Sequence, residues 1–159
     1  MDFIDLKTQQ KLIRKNIDKR ISNVLNHGQY IQGPEIKELE NKLSIFSKSK
    51  FVLCCSSGTD ALLLGLIALG LKPRDAVIVP SFTFASTAEA VCMLGGIPFF
   101  SDVKLDTFNI CEKSISQCIE KSKKLGISIK GIITVGLFGQ PCDMKKIKEV
   151  ANAHKLWVF

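Results

Sequence analysis

The chain has 159 residues, 46% of them hydrophobic and 23% charged, and a formal net charge of +7. That length suits a single domain, and the apolar content excludes wholesale disorder. The basic residues recur at helix-face spacings without interleaved aromatics, which reads as a solvated surface compatible with a phosphate-bearing ligand and argues against a nucleic-acid partner.

The N-terminus "MDFIDLKTQQ" has no apolar core behind a basic start. The longest apolar run, Ala61 to Leu71, contains glycines and falls short of the roughly 20 residues that span a bilayer. A cytoplasmic chain with no membrane partner is expected. Residues 7–26 read as a helix, with Ile13, Ile17, Ile21 and Val24 or Leu25 at helical spacing. "NHGQYIQGP" breaks it, and Pro34 suits the first turn of a second helix with a stripe of Ile36, Leu39, Leu43 and Phe46. Both helices are amphipathic, so each is expected to cover a surface.

After Lys50 strand-like and helical runs alternate. "FVLCC" (51–55) reads as a strand, and the almost wholly apolar 60–70 as a buried helix. Then follow strand 76–80, helix 85–94 ending at Gly95 and Gly96, and strand 97–103. Helix 112–125 turns Ile115, Cys118, Ile119 and Leu125 inward, and strand 131–138 comes next. Helix 143–154 has Asp143 as its cap and Ile147, Val150 and Ala151 inward; "LWVF" (156–159) starts another strand. Near-continuous apolar strands joined by helices imply an α/β fold, a mostly parallel sheet covered by helices on both faces. The expected division is a helical segment, 1–50, and a partial α/β domain, 51–159. The cysteines Cys54, Cys55, Cys92, Cys111, Cys118 and Cys142 form no CxxC pair and read as buried reduced thiols. His27 and His154 are far apart, so no metal site is expected.

The polar cluster Ser56-Ser57-Gly58-Thr59-Asp60 sits where a strand gives way to a helix. Ligands of parallel sheets bind at the carboxyl ends of strands. A helix amino end offers free N–H groups and the positive end of its dipole, which favour a phosphate. Gly58 would let the backbone approach closely, and Ser57 and Thr59 would add hydroxyls. The plain alternative is N-capping by Ser, Thr or Asp with no ligand. The pattern is neither GxxxxGK[ST] nor GxGxxG. In "PSFTFAST" (80–87) one of Phe82 and Phe84 could stack on a flat cofactor, although a core aromatic is the commoner use. Gly139-Gln140-Pro141 is turn chemistry, from which Gln140 could reach a ligand.

Together "GQYIQGPEIKELE" (28–40), "SSGTDALLLGLIALGL" (56–71), "VIVPSFTFASTAEAV" (77–91) and "GQPCDM" (139–144) resemble the DegT/DnrJ/StrS sugar aminotransferases. The resemblance runs from "DLKTQQ" (5–10) to the last residue. It implies the large domain of a fold-type I enzyme dependent on pyridoxal 5'-phosphate that aminates nucleotide-linked ketosugars. It further implies that Gly58, Thr59 and Asp60, with Ser57 beside them, hold the cofactor phosphate and that Phe84 stacks on its ring. Tyr30 and Ile31 of "GQYI" would lie near the sugar nucleotide, and Gln140 close to the active site. Glutamate as amino donor and a homodimer are implied as well. The "GQP" form resembles 3-ketosugar enzymes more than 4-ketosugar ones. Gly136 departs from the pattern, since many relatives carry histidine there.

In the family, the aspartate that pairs with the pyridine nitrogen follows the strand that "LWVF" begins, and the cofactor-attaching lysine and a smaller domain lie further on. No lysine of these 159 residues sits in the matching motif. The expectation is a truncated half, inactive by itself and poorly soluble, with an unpaired strand edge. Two other readings stay open. One is a non-catalytic regulatory or phosphate-ligand-binding remnant, and the other is a different parallel α/β enzyme using the turn for a substrate phosphate.

Overall fold

The computed structural model describes residues 4–159 and divides into two units, Met1–Cys54 and Cys55–Phe159. In the first unit the Asp5 carboxylate accepts the Thr8 N–H at 3.0 Å and starts helix α1, Leu6–His27. The helix stops at Gly28, which takes the left-handed conformation (φ 66°) that glycine adopts without strain. Pro34 occupies the first turn of α2, Pro34–Ser47, where its missing N–H costs nothing.

The two helices are tied by Arg20, whose guanidinium donates to both oxygens of Glu38 at 2.8 and 2.7 Å, with Lys42 as a further partner. Hydrogen bonds from Arg20 first, then Lys42, hold the Glu38 carboxyl at about 2. That lies below the value of about 4.3 for a free glutamate. The contribution of Glu38 is therefore complete above the unfolded value and is lost as pH falls through about 2. A carboxyl-resolved NMR titration should place the Glu38 midpoint near 2, and Arg20→Ala should return it toward the ordinary range. An ordinary midpoint in the unsubstituted chain would show that the pair does not form in solution.

In the second unit four parallel strands form one sheet: β1 (Ala76–Pro80), β2 (Ile97–Ser101), β3 (Ile129–Ile132) and β4 (Trp157–Val158). Their order is β2-β1-β3-β4. Helices α3 (Gly58–Ala68), α4 (Ser86–Met93), α5 (Glu112–Lys124) and α6 (Met144–Ala153) complete it. Because strand side chains alternate between faces, Ile78 and Ile132 enter one core with Ile115 and Ile119 of α5 and Ile147 and Ala151 of α6. Val77, Val79 and Ile133 enter the other, with Leu66 of α3 and Ala90 and Val91 of α4. Gly131 of β3 pairs with Trp157 of β4, and the indole ring occupies the place a Cβ at Gly131 would take.

Several expectations are corrected. "FVLCC" is not a strand: it pairs with none of the four, and Phe51 and Leu53 are exposed. Alternation supplies a strand's side chains, but a strand also needs a partner edge. Only Leu66 of α3 is buried, and Leu64 and Ile67 face outward, because a helix laid on one face of a sheet hides one stripe however apolar its remainder is. The stripes of α1 and α2 are not buried either; Ile13, Leu39, Leu43 and Phe46 are all exposed. Of the cysteines Cys118 and Cys142 are buried, whereas Cys55 and Cys92 are exposed and Cys54 and Cys111 lie between. Leu125 points outward, and Ser122 takes the inward position, its hydroxyl donating to the Ile119 carbonyl at 2.8 Å. β2 ends at Ser101, β3 at Ile132, and β4 is Trp157–Val158, each shorter than its apolar run. The cap of α6 falls where the sequence places it, with the Asp143 carboxylate accepting the Lys146 N–H.

Candidate functional site

From β1 the chain crosses through α4 to β2 on one side; from β2 it returns through α5 to β3 on the other. Neighbouring strands whose connections leave in opposite directions open a crevice at their carboxyl ends. A cleft of about 390 Å³ lies there, lined by Gly58, Leu62, Phe84, Ser86, Thr134 and Phe159 among others. Gly58 comes from the first turn of α3, Phe84 from the loop after β1, Ser86 from the start of α4 and Thr134 from beyond β3.

The turn before α3 leaves backbone donors open. Ser57 caps the helix, its hydroxyl oxygen accepting the Asp60 N–H at 3.1 Å and keeping its own proton to donate. The Ser56 hydroxyl donates to the Asp60 carboxylate, and Ala61 N–H returns to the Ser57 carbonyl at 3.0 Å. Among the described residues the N–H groups of Gly58 and Thr59 meet no acceptor. Among the described residues a Cβ at Gly58 would meet nothing within 4 Å, so the backbone there is open to close approach. Open donors at the positive end of a helix fit a phosphate.

The two aromatics after β1 part company. Phe82 joins Phe108 and Phe138, with ring centroids 5.5 and 6.4 Å from it. Among the described residues Phe84 belongs to no such cluster, and it offers a 72% exposed ring to the cleft. A ring with a free face, in one cavity with an anion-binding turn, suits a flat ligand that carries a phosphate.

Gly58 and Phe84 thus meet in one cleft, and Ser57, Thr59 and Asp60 share the Gly58 turn. Gln140 is exposed in the loop after β3, not among the lining residues, and its carbonyl accepts the Asn109 side-chain N–H at 3.2 Å. Tyr30 and Ile31 belong to the first unit, in the segment between α1 and α2, with Ile31 90% exposed. Sequence reasoning missed the hydroxyls of the cleft wall: Ser86, Thr134, and Thr83 with Thr87, whose oxygens lie 3.3 Å apart. Their signal was available, since "TFAST" marks a strand-to-helix junction of the same kind as "SSGTD". Among the described residues no group of three His, Cys, Asp or Glu side chains could hold a metal ion, and no helix is long and apolar enough to cross a membrane.

Residues 11–159 match the DegT/DnrJ/EryC1/StrS aminotransferase family. All of the chain aligns at 42% identity with a Pseudomonas aeruginosa UDP-2-acetamido-2-deoxy-3-oxo-D-glucuronate aminotransferase, covering 43% of that protein. A DegT DnrJ EryC1 StrS aminotransferase from Brucella abortus superimposes on 99% of the chain with a TM-score of 0.96 at 40% identity, covering 43% of the Brucella chain. The Bacillus subtilis protein NtdA, solved with bound cofactor PMP, superimposes on 91% with a TM-score of 0.83 at 37% identity, covering 32% of that chain. The chain therefore spans less than half the length of these relatives.

Proposed function

The chain belongs to the DegT/DnrJ/EryC1/StrS aminotransferase family, and on that premise we propose that it carries the phosphate and ring subsites of a pyridoxal-phosphate-dependent enzyme that aminates a nucleotide-linked ketosugar in amino-sugar biosynthesis. One observation carries this reading: the open N–H turn at Gly58 and the free ring of Phe84 share one cleft at the switch point of the sheet. The cofactor, when bound, supplies an electron sink for moving an amino group. The chain's own part is to bind and orient. Gly58 and Thr59 offer backbone N–H groups to the phosphate, Ser57 and Thr59 offer hydroxyls, and Phe84 covers one face of the ring. Leu62, Ile133 and Val135 give the cleft apolar walls beside that ring.

The proposed amino donor is glutamate and the proposed acceptor a 3-keto sugar, in line with the "GQP" turn and the 3-oxo substrate named for the Pseudomonas relative. Cys55–Phe159 is read as part of the cofactor-binding domain, Tyr30 and Ile31 as sugar-nucleotide contacts, and the working assembly as a homodimer. A polypeptide of these 159 residues alone is expected to bind cofactor without transaminating, since no lysine in it occupies the family's attachment motif.

Pyridoxamine 5'-phosphate is the suitable probe, because its amine does not condense with surface lysines. Titration followed by its fluorescence should saturate at one site, and Phe84→Ala should weaken binding about tenfold, the scale of a lost stacking contact and its buried area. Non-saturating binding, or a Phe84→Ala affinity equal to the parent's, would remove the basis for the reading.

A further inference from the structure

A second helix points its amino end into the same cleft. Ser86 is the first residue of α4, and Ala85 before it offers no side-chain cap. The N–H groups of Thr87, Ala88 and Glu89 turn back to Phe84 and Ala85 carbonyls at 3.0–3.1 Å, whereas that of Ser86 meets no acceptor among the described residues. Ser86 as a residue is only 8% exposed, lines the cleft, and its hydroxyl likewise has no protein partner among the described residues. The hydroxyl is not sealed in the core: it reaches solvent through the cleft and is free to donate to a ligand that enters. Glu89, the acidic residue of this turn, is exposed and does not line the cleft.

We propose that the amino end of α4, with Ser86 at its tip, is a second oxyanion subsite of the cleft and that it takes the carboxylate of a small organic acid. Two donors on one residue, N–H and O–H, match the two oxygens of a planar carboxylate. No lysine or arginine lines the cleft, so the subsite suits a monoanion held by a helix dipole, while the turn at Gly58 serves the phosphate. This assignment rests on the function proposed above, in which the amino donor is a dicarboxylic amino acid.

Glutarate is the probe, because it carries the donor's carboxylates and lacks its amine. In the ¹⁵N-labelled chain, glutarate should move the Ser86 amide resonance saturably and leave Gly58 in place, while pyridoxamine 5'-phosphate should move Gly58. Ser86→Ala should weaken glutarate binding about tenfold and leave pyridoxamine phosphate binding within twofold. Ser86→Thr, which keeps the hydroxyl, should stay close to the parent. Absence of a saturable Ser86 shift in the unsubstituted chain overturns the subsite whatever the variants do, as does unchanged glutarate affinity in Ser86→Ala. Glutarate binding at Ser86 without pyridoxamine phosphate binding at Gly58 supports the subsite and counts against the cofactor reading instead.

Discussion

Gly131→Ala is expected to lower the stability of the Cys55–Phe159 unit by about 1–3 kcal/mol, the cost of forcing extra volume into a filled space. The direction is not obvious from the residue type. A glycine within a strand is entropically weak, and exchange for alanine often stabilises by about 0.5–1 kcal/mol. Gly131 does not need glycine for its backbone, because its φ is not left-handed. The cost comes from Trp157, its partner across the β3–β4 ladder, whose ring lies where the new methyl must go. Either the indole moves out of the core with Val79 and Ile133 or β4 shifts away from β3. Urea unfolding of Gly131→Ala, Trp157→Ala and the double variant separates these effects. Trp157→Ala should destabilise by removing a packed ring, and adding Gly131→Ala to it should cost nothing further. Equal penalties in both backgrounds would mean that the ring does not set the requirement for glycine.

Gly58→Asp is expected to weaken pyridoxamine 5'-phosphate binding at least a hundredfold while leaving stability equal or slightly raised. The two effects separate for a structural reason. A Cβ at Gly58 meets nothing within 4 Å among the described residues, and an acidic residue in the first turn of α3 is favourable to the helix dipole. The same open space is where the phosphate must approach. A carboxylate about 4 Å from it costs about 4 kcal/mol per pair of unit charges at an effective dielectric of 20, more than enough for two decades of affinity. Gly58→Ala should fall between, at about tenfold. Binding by fluorescence and stability by urea unfolding should be measured on the same preparations. Retained affinity in Gly58→Asp would place the phosphate elsewhere.

The alternation of short apolar runs with amphipathic helices was enough to read the parallel sheet and its helices, because the period of side-chain burial is a local property. Ile78 and Val79 enter opposite cores as neighbours on a strand must. Pairing is not local, and "FVLCC" shows the limit: its composition suits a strand, but no neighbour takes it up. Strand order was equally hidden. The switch between β1 and β3 decides where the cleft opens, and it follows from which way α4 and α5 cross, which no single segment encodes. At the site, the turn at Ser57–Asp60 was legible from its small polar residues before an apolar helix. The division of labour between Phe82 and Phe84 was not, because it depends on Phe108 and Phe138, distant in sequence. Asn109 was likewise invisible, although its side chain donates to both Gln140 and Pro141 carbonyls and so fixes the loop after β3.

The lining of the cleft contains glycine, hydroxyl, aliphatic and phenylalanine residues, and none of them ionises in the physiological range. On the readings proposed above, its attraction for anions would come from peptide groups at the ends of α3 and α4, whose polarity is the same at every pH that leaves the fold intact. Such a lining has no protonation state of its own to adjust. The acidity at which a phosphate ester is gripped or released is therefore written in the ester's second ionisation, near pH 6, so discrimination between mono- and dianion lies with the visitor while the host stays constant.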